Sequence, residues 1–176
     1  DIDNVNKVQI DSSKVKAGDL FFAINKGNNY IKNALENGAS LVIGDNIEGK
    51  FNQNKKVIKV DNTINTLQEL AKEYRKNLNI KVIGITGSEG KTTTKDVVAS
   101  ILSEKYNVKK TQGNYNNQIG LPFTIFSFEE EDDIAVLEMG MSSFGEIERL
   151  SEICKPNYGI ITNIGDSHLE FLINRD

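Results

Sequence analysis

The chain has 176 residues, 38% apolar and 26% charged, enough for one ordinary domain or for a small domain joined to part of a second. Its formal charge of -4 excludes the broad basic field of nonspecific nucleic-acid binders, so no nucleic-acid partner is expected and any phosphate must be gripped locally. No apolar run approaches the ~20 residues that span a bilayer, the start Asp1-Ile2-Asp3 is unlike a signal peptide, and Cys154 has no second thiol, so a cytoplasmic protein without membrane insertion is expected.

Short apolar runs alternate with amphipathic stretches along the chain, the pattern of an α/β protein with a mainly parallel sheet. Strands are predicted at 7–10, 20–24, 41–43 and 57–60, with a helix over 30–37. From residue 63 to 78, Ile64, Leu67, Leu70, Ala71, Tyr74 and Leu78 keep returning to one face of a 3.6-residue period, which predicts a helix that follows the capping residues Asp61 and Asn62. A domain boundary is placed near residue 79, giving a small α/β domain over 1–79 and a second domain over 80–176. The second domain repeats the alternation: strand 81–86, helix 91–105, strand 108–111, a helix from about 119, strand 134–139, helix 145–153 and strand 158–164. No closing element follows Gly165, so this domain is expected to be a truncated one of phosphate-loop type.

Residues 82–94 read VIGITGSEGKTTT, an apolar strand that runs through glycines into the start of a helix. Glycines let backbone N–H groups surround phosphate oxygens, and a helix start offers unpaired N–H groups and a positive dipole end. Gly87, Ser88, Glu89, Gly90, Lys91, Thr92 and Thr93 are therefore the candidate nucleotide-binding residues. Lys91 would bring a mobile charge to the terminal phosphates of ATP, and the Thr92 hydroxyl would join the coordination sphere of Mg2+. The common pattern asks for glycine five residues before Gly90, where Ile85 stands instead.

Glu138 lies at the C-terminal end of the apolar run 134–137, the edge at which open α/β sheets bind ligands. It reads either as a magnesium ligand or as a solvated strand-end carboxylate. His168, the only histidine, follows the last predicted strand at the same edge, and reads as a metal ligand or as an ordinary surface residue. The run 113–118, GNYNNQ, offers four side-chain amides that could grip a sugar or peptide, although asparagine and glycine are equally the residues of a plain turn.

Four blocks together resemble the Mur ligase family: DSSKVKAGDLFFAI at 11–24, GITGSEGKTTTKD at 84–96, GNYNNQIGLP at 113–122, and VLEMGMSSFGEI at 136–147 with ITNIGDSHLE at 161–170. The resemblance implies an ATP-dependent carboxylate–amine ligase of peptidoglycan synthesis, with an N-terminal domain for a UDP-sugar, a central ATP domain and a further C-terminal domain. It implies transfer of the ATP γ-phosphate to a carboxylate, giving an acyl phosphate that an amine attacks. The EMGM and TNIG blocks look like those of the member that joins D-Ala-D-Ala to a UDP-N-acetylmuramoyl-peptide, acting as a monomer. Other muramyl-peptide ligases, folate polyglutamate ligases and a non-catalytic nucleotide-binding module are the alternatives. Carried over by position, Lys91, Glu138 and His168 are implied as catalytic, with Thr92, Glu138 and His168 at metals. Ser12, Asn114, Asn117 and Asn163 are implied at substrate. Serine at position 13 replaces the family's usual arginine, the stretch 25–30 is shorter than the family's and lacks its Asp-Gly-His run, and the family's carbamylated lysine would lie beyond Asp176. Ligase activity from this segment alone is therefore not expected.

Overall fold

A computed structural model describes residues 5–165, the side chains of residues 50 and 52 excepted. The chain divides into two compact units, Asp1–Leu67 and Gln68–Asp176. The division falls inside the amphipathic helix, whereas the boundary read from sequence lies just after it.

In the first unit, β1 (Val8–Gln9), β2 (Leu20–Ala23), β3 (Leu41–Gly44) and β4 (Val57–Lys59) form a parallel sheet in that order. Parallel neighbours need crossovers, and α1 (Ile31–Glu36) supplies the one between β2 and β3. Every residue of β2 is buried, as expected of a strand reading Leu-Phe-Phe-Ala inside such a sheet. Phe21, Ala23, Ile31, Ala34, Val42 and Ile47 make the core. The stretch expected as a shortened loop, Asn25–Tyr30, is a 3-10 helix entered through Asn25 at φ 51°.

The amphipathic helix α2 (Thr63–Lys76) leads into the second unit. There β5 (Lys81–Thr86), α3 (Lys91–Ser103), β6 (Val108–Lys110), α4 (Gly120–Phe126), β7 (Ile134–Glu138), α5 (Glu146–Cys154) and β8 (Tyr158–Ile161) follow in turn. The strands are parallel in the order β6-β7-β5-β8. Sequence reading finds every one of these elements and misjudges only their ends, β8 stopping at Ile161 rather than 164.

Alternation along β7 sends Ala135, Leu137 and Met139 to one face, where they pack with Ala71, Leu121, Ile125, Leu150 and Ile153. Val136 points the other way, into a cluster with Ile85 of β5 and Ala99 of α3. Each buried Leu or Ile of these clusters contributes roughly 1.5–3 kcal/mol relative to exposure. Glu138, two residues after Val136, thus belongs to the face that α3 covers. The two adjacent strands β5 and β7 feed helices on opposite faces, which opens a crevice at their C-terminal ends.

Candidate functional site

The turn between β5 and α3 is only Gly87 to Gly90, because β5 continues in register as far as Thr86. Ile85 stands where the common phosphate-loop pattern has glycine because that position is still strand, paired with Glu138 and Ile160 and fully buried. Gly87 has φ +136°, and a Cβ there would lie 2.1 Å from Thr162 Oγ1. Gly90 opens α3 in the left-handed region at φ 76°. Gly87 therefore requires glycine on conformational and steric grounds, whereas Gly90, with room for a Cβ, favours glycine on conformational grounds alone.

The segment after β8 braces this turn. Ser88 N–H donates to Asn163 O at 3.2 Å, Glu89 N–H to Asn163 Oδ1 at 2.9 Å, and Thr162 Oγ1 donates to Glu89 O at 2.5 Å. Asn163 thus holds the turn rather than pointing into an empty space. With those N–H groups engaged, the N–H groups of Lys91, Thr92 and Thr93, which have no intrahelical acceptor, remain to meet an anion. Lys91 curls back, Nζ donating to Gly87 O at 2.6 Å and Ser88 O at 3.1 Å. Its ammonium is held at the turn and is released by breaking bonds to two carbonyls.

Glu138 is only 3% exposed. Thr92 Oγ1 donates to its Oε2 at 2.8 Å, and Asn116 Nδ2 donates to its Oε1 at 2.8 Å. Among the described residues no cation pairs with this carboxylate. Hydrogen bonds to a charged group contribute about 1.5–3 kcal/mol each, whereas desolvating a carboxylate costs several. A hard oxygen pair, carboxylate and hydroxyl, on a buried and uncompensated anion is the chemistry of a divalent-cation site, and it suits Mg2+. The reading of Glu138 as a solvated strand-end carboxylate is thereby replaced: the residue is buried. No group of three or more His, Cys, Asp or Glu side chains gathers among the described residues, and His168 lies outside them.

A cavity of about 300 Å³ opens beside the turn, lined by Lys91, Asn116, Asn117, Gln118, Ser142 and Glu146 among others. Burial works against the charge of Glu146, but N–H donors from Ser142 and Ser143 and the Gln118 amide outweigh it and hold the carboxyl below the ordinary glutamate range. The amide run divides its labour. Asn116 reaches Glu138, and Asn117 Oδ1 accepts the N–H groups of Ile119 (3.1 Å) and Gly120 (2.9 Å) to start α4, while Asn114 is exposed. Asn116 is the site residue that sequence reasoning did not single out. Its neighbours look alike in composition, and only the fold selects the amide that meets the strand end. In the first unit, Ser12 is buried and lines a separate cavity of about 640 Å³ with Asp11, Ser13, Phe21 and Tyr30.

Two family descriptions match the chain: "Mur ligase family, catalytic domain" over residues 4–75 and "Mur ligase middle domain" over residues 85–176. A UDP-N-acetylmuramoyl-tripeptide--D-alanyl-D-alanine ligase from Bacillus subtilis is 43% identical over 176 residues, covering 98% of this chain and 38% of that protein. The protein of the same name from Rickettsia prowazekii is 40% identical over 171 residues, covering 96% of this chain and 38% of its own length. Among solved structures, the MurF ligase from Thermotoga maritima in complex with ADP superposes with a TM-score of 0.90 at 35% identity, over 99% of this chain and 41% of that one. MurF from Acinetobacter baumannii gives 0.89 at 32% identity, over 98% and 38%. The chain therefore spans about 38% of the length of the curated relatives it matches.

Proposed function

The chain belongs to the Mur ligase family, and from that membership we propose that it is the nucleotide-handling part of an ATP-dependent ligase that joins D-Ala-D-Ala to a UDP-N-acetylmuramoyl-peptide. In this reading, residues 80–176 hold ATP and residues 1–79 hold the UDP-sugar end of the substrate, in a cytoplasmic, monomeric enzyme. The observation that carries it is the cluster of Lys91, Thr92 and buried Glu138 around a glycine turn, in a segment that matches the family.

A carboxylate that attacks the γ-phosphate of ATP meets a highly charged anion, and catalysis consists largely of positioning and charge stabilisation. The N–H groups of Lys91, Thr92 and Thr93 would bind the phosphates. Lys91 would exchange its two carbonyl acceptors for phosphate oxygens and follow the charge as it shifts. Thr92 Oγ1 and the Glu138 carboxylate would hold Mg2+, which when bound supplies charge neutralisation at the phosphates. Asn116 keeps the Glu138 carboxylate oriented. The amides and Ser142 that line the cavity would contact the substrate's acyl end. Roles at substrate for Ser12, Asn114, Asn117 and Asn163, and at a second metal for His168, belong to the same proposal.

The test is a chimera in which this chain replaces the matching segment of the Bacillus subtilis relative. Supplied with ATP, Mg2+, D-Ala-D-Ala and a UDP-N-acetylmuramoyl-tripeptide, it should form the amide, and Lys91→Ala should reduce kcat by at least about a hundredfold, as loss of a major electrostatic contributor does. Unchanged turnover with Lys91→Ala would remove the reading. A folded chimera that binds ATP without ever forming amide would favour a regulatory module.

A further inference from the structure

Glu138 ends β7, and the main chain there is held in an unusual way. Along β7 the N–H groups alternate between neighbours: Met139 N–H donates to Ile85 O of β5 at 2.8 Å, and Ile134 N–H donates toward the β6 side, to Asn107 O at 3.2 Å. Glu138 N–H therefore faces β6, but β6 has ended at Lys110. The Thr111 side chain fills the place of a strand carbonyl, its Oγ1 accepting Glu138 N–H at 2.9 Å. The Thr111 N–H still donates to Val136 O at 3.1 Å. Its carbonyl has turned toward α3 instead, where it accepts from Lys95 Nζ at 3.1 Å.

Lys95 is 4% exposed and Thr111 fully buried, so neither group has water as an alternative partner. Lys95 also lies one helical turn after Thr92, on the same face of α3. That face thus makes two ties to the sheet, Thr92 to the Glu138 carboxylate and Lys95, through Thr111, to the Glu138 main chain. Asp96 Oδ1, 3.5 Å from Lys95 Nζ and half-exposed, balances the buried charge from the solvent side.

We infer that Lys95 and Thr111 are positioning residues that fix Glu138 opposite Thr92 and so set the magnesium dependence of nucleotide binding; the inference rests on the nucleotide reading above. The buried ammonium draws the Thr111 carbonyl out of the strand path. This leaves the Thr111 hydroxyl as the acceptor that fixes the Glu138 backbone, and the carboxylate is held 2.8 Å from Thr92 Oγ1 as a result. Neither residue lines the cavity beside the turn.

The experiment measures binding of a non-hydrolysable ATP analogue to the whole chain by calorimetry, with Mg2+ and again with EDTA, and takes the ratio of the two affinities. Thr111→Val keeps the side-chain shape and removes the acceptor, and should lower that ratio about fivefold, the worth of one hydrogen bond. Thr111→Ser should restore it. If Thr111→Val does not fold, Lys95→Met against Lys95→Arg makes the same comparison, with the ratio lowered in the first and recovered in the second. A folded Thr111→Val or Lys95→Met with the wild-type ratio, or a conservative variant no better than its partner, would overturn the inference while leaving the nucleotide reading in place. A wild-type chain whose binding Mg2+ does not strengthen would overturn both.

Discussion

Gly87 shows how far one residue decides the site. Its φ of +136° is one that side chains rarely adopt, and a Cβ would also meet Thr162 Oγ1 at 2.1 Å and the Asn163 carbonyl at 3.0 Å. Gly87→Ala should therefore destabilise the second unit by about 3 kcal/mol, from backbone strain and disrupted bonds to Thr162 and Asn163. Urea unfolding would measure this, and a loss below about 1 kcal/mol would mean that the turn has another conformation at hand. Gly87, Lys91 and Thr92 stand out in the sequence because glycine, lysine and hydroxyl follow an apolar strand in one short contiguous pattern. Glu138 is legible as a strand-end carboxylate, but its burial is not, since that depends on α3 lying over it. Asn116, Thr111 and Lys95 leave no local signature at all. Each looks like an ordinary turn, strand-end or helix residue until non-neighbouring segments meet.

At the scale of elements, the order of strands and helices follows from periodicity, and only the ends shift, because end residues depend on caps and neighbours rather than on pattern. Arg75 of α2 illustrates what periodicity does not reveal. Four residues after Ala71 and three before Leu78, this charged residue lies at the edge of the apolar face and is only 7% exposed, and its guanidinium donates to Cys154 O (3.0 Å), Leu78 O (3.0 Å) and Ile80 O (2.9 Å). It ties together the end of α5, the turn after α2 and the entry to β5. Arg75→Met keeps much of the packing volume and strands those carbonyls, so it should cost about 2–4 kcal/mol of the second unit's stability. Thermal unfolding followed by circular dichroism would check this, and an unchanged midpoint would show that the carbonyls find other donors.

For the molecule as a whole, charge sets a pH dependence. Burial of Asp45 in the first unit opposes its charge, but Thr63 and Asn28 donate to it and hold its carboxyl below the ordinary aspartate value, as Ser142, Ser143 and Gln118 do for Glu146 in the second. A carboxyl lowered in the folded state is protonated first in the unfolded chain as pH falls. The stability it contributes is complete above the unfolded values of about 4 and is lost as pH falls through the folded ones. The urea midpoint should hold steady from pH 7 to about 5 and then decline, with a shallower decline in Glu146→Gln. A midpoint that rises on acidification to pH 4 would contradict this. The proposed function rests finally on the turn from Gly87 to Thr92 receiving nucleotide phosphates. Amide NMR spectra of the chain, titrated with Mg2+ and a non-hydrolysable ATP analogue, test that most directly. Saturable shifts should centre on residues 87–93 and on Glu138, and should vanish in Lys91→Ala; shifts that saturate elsewhere while those amides stay still would contradict it.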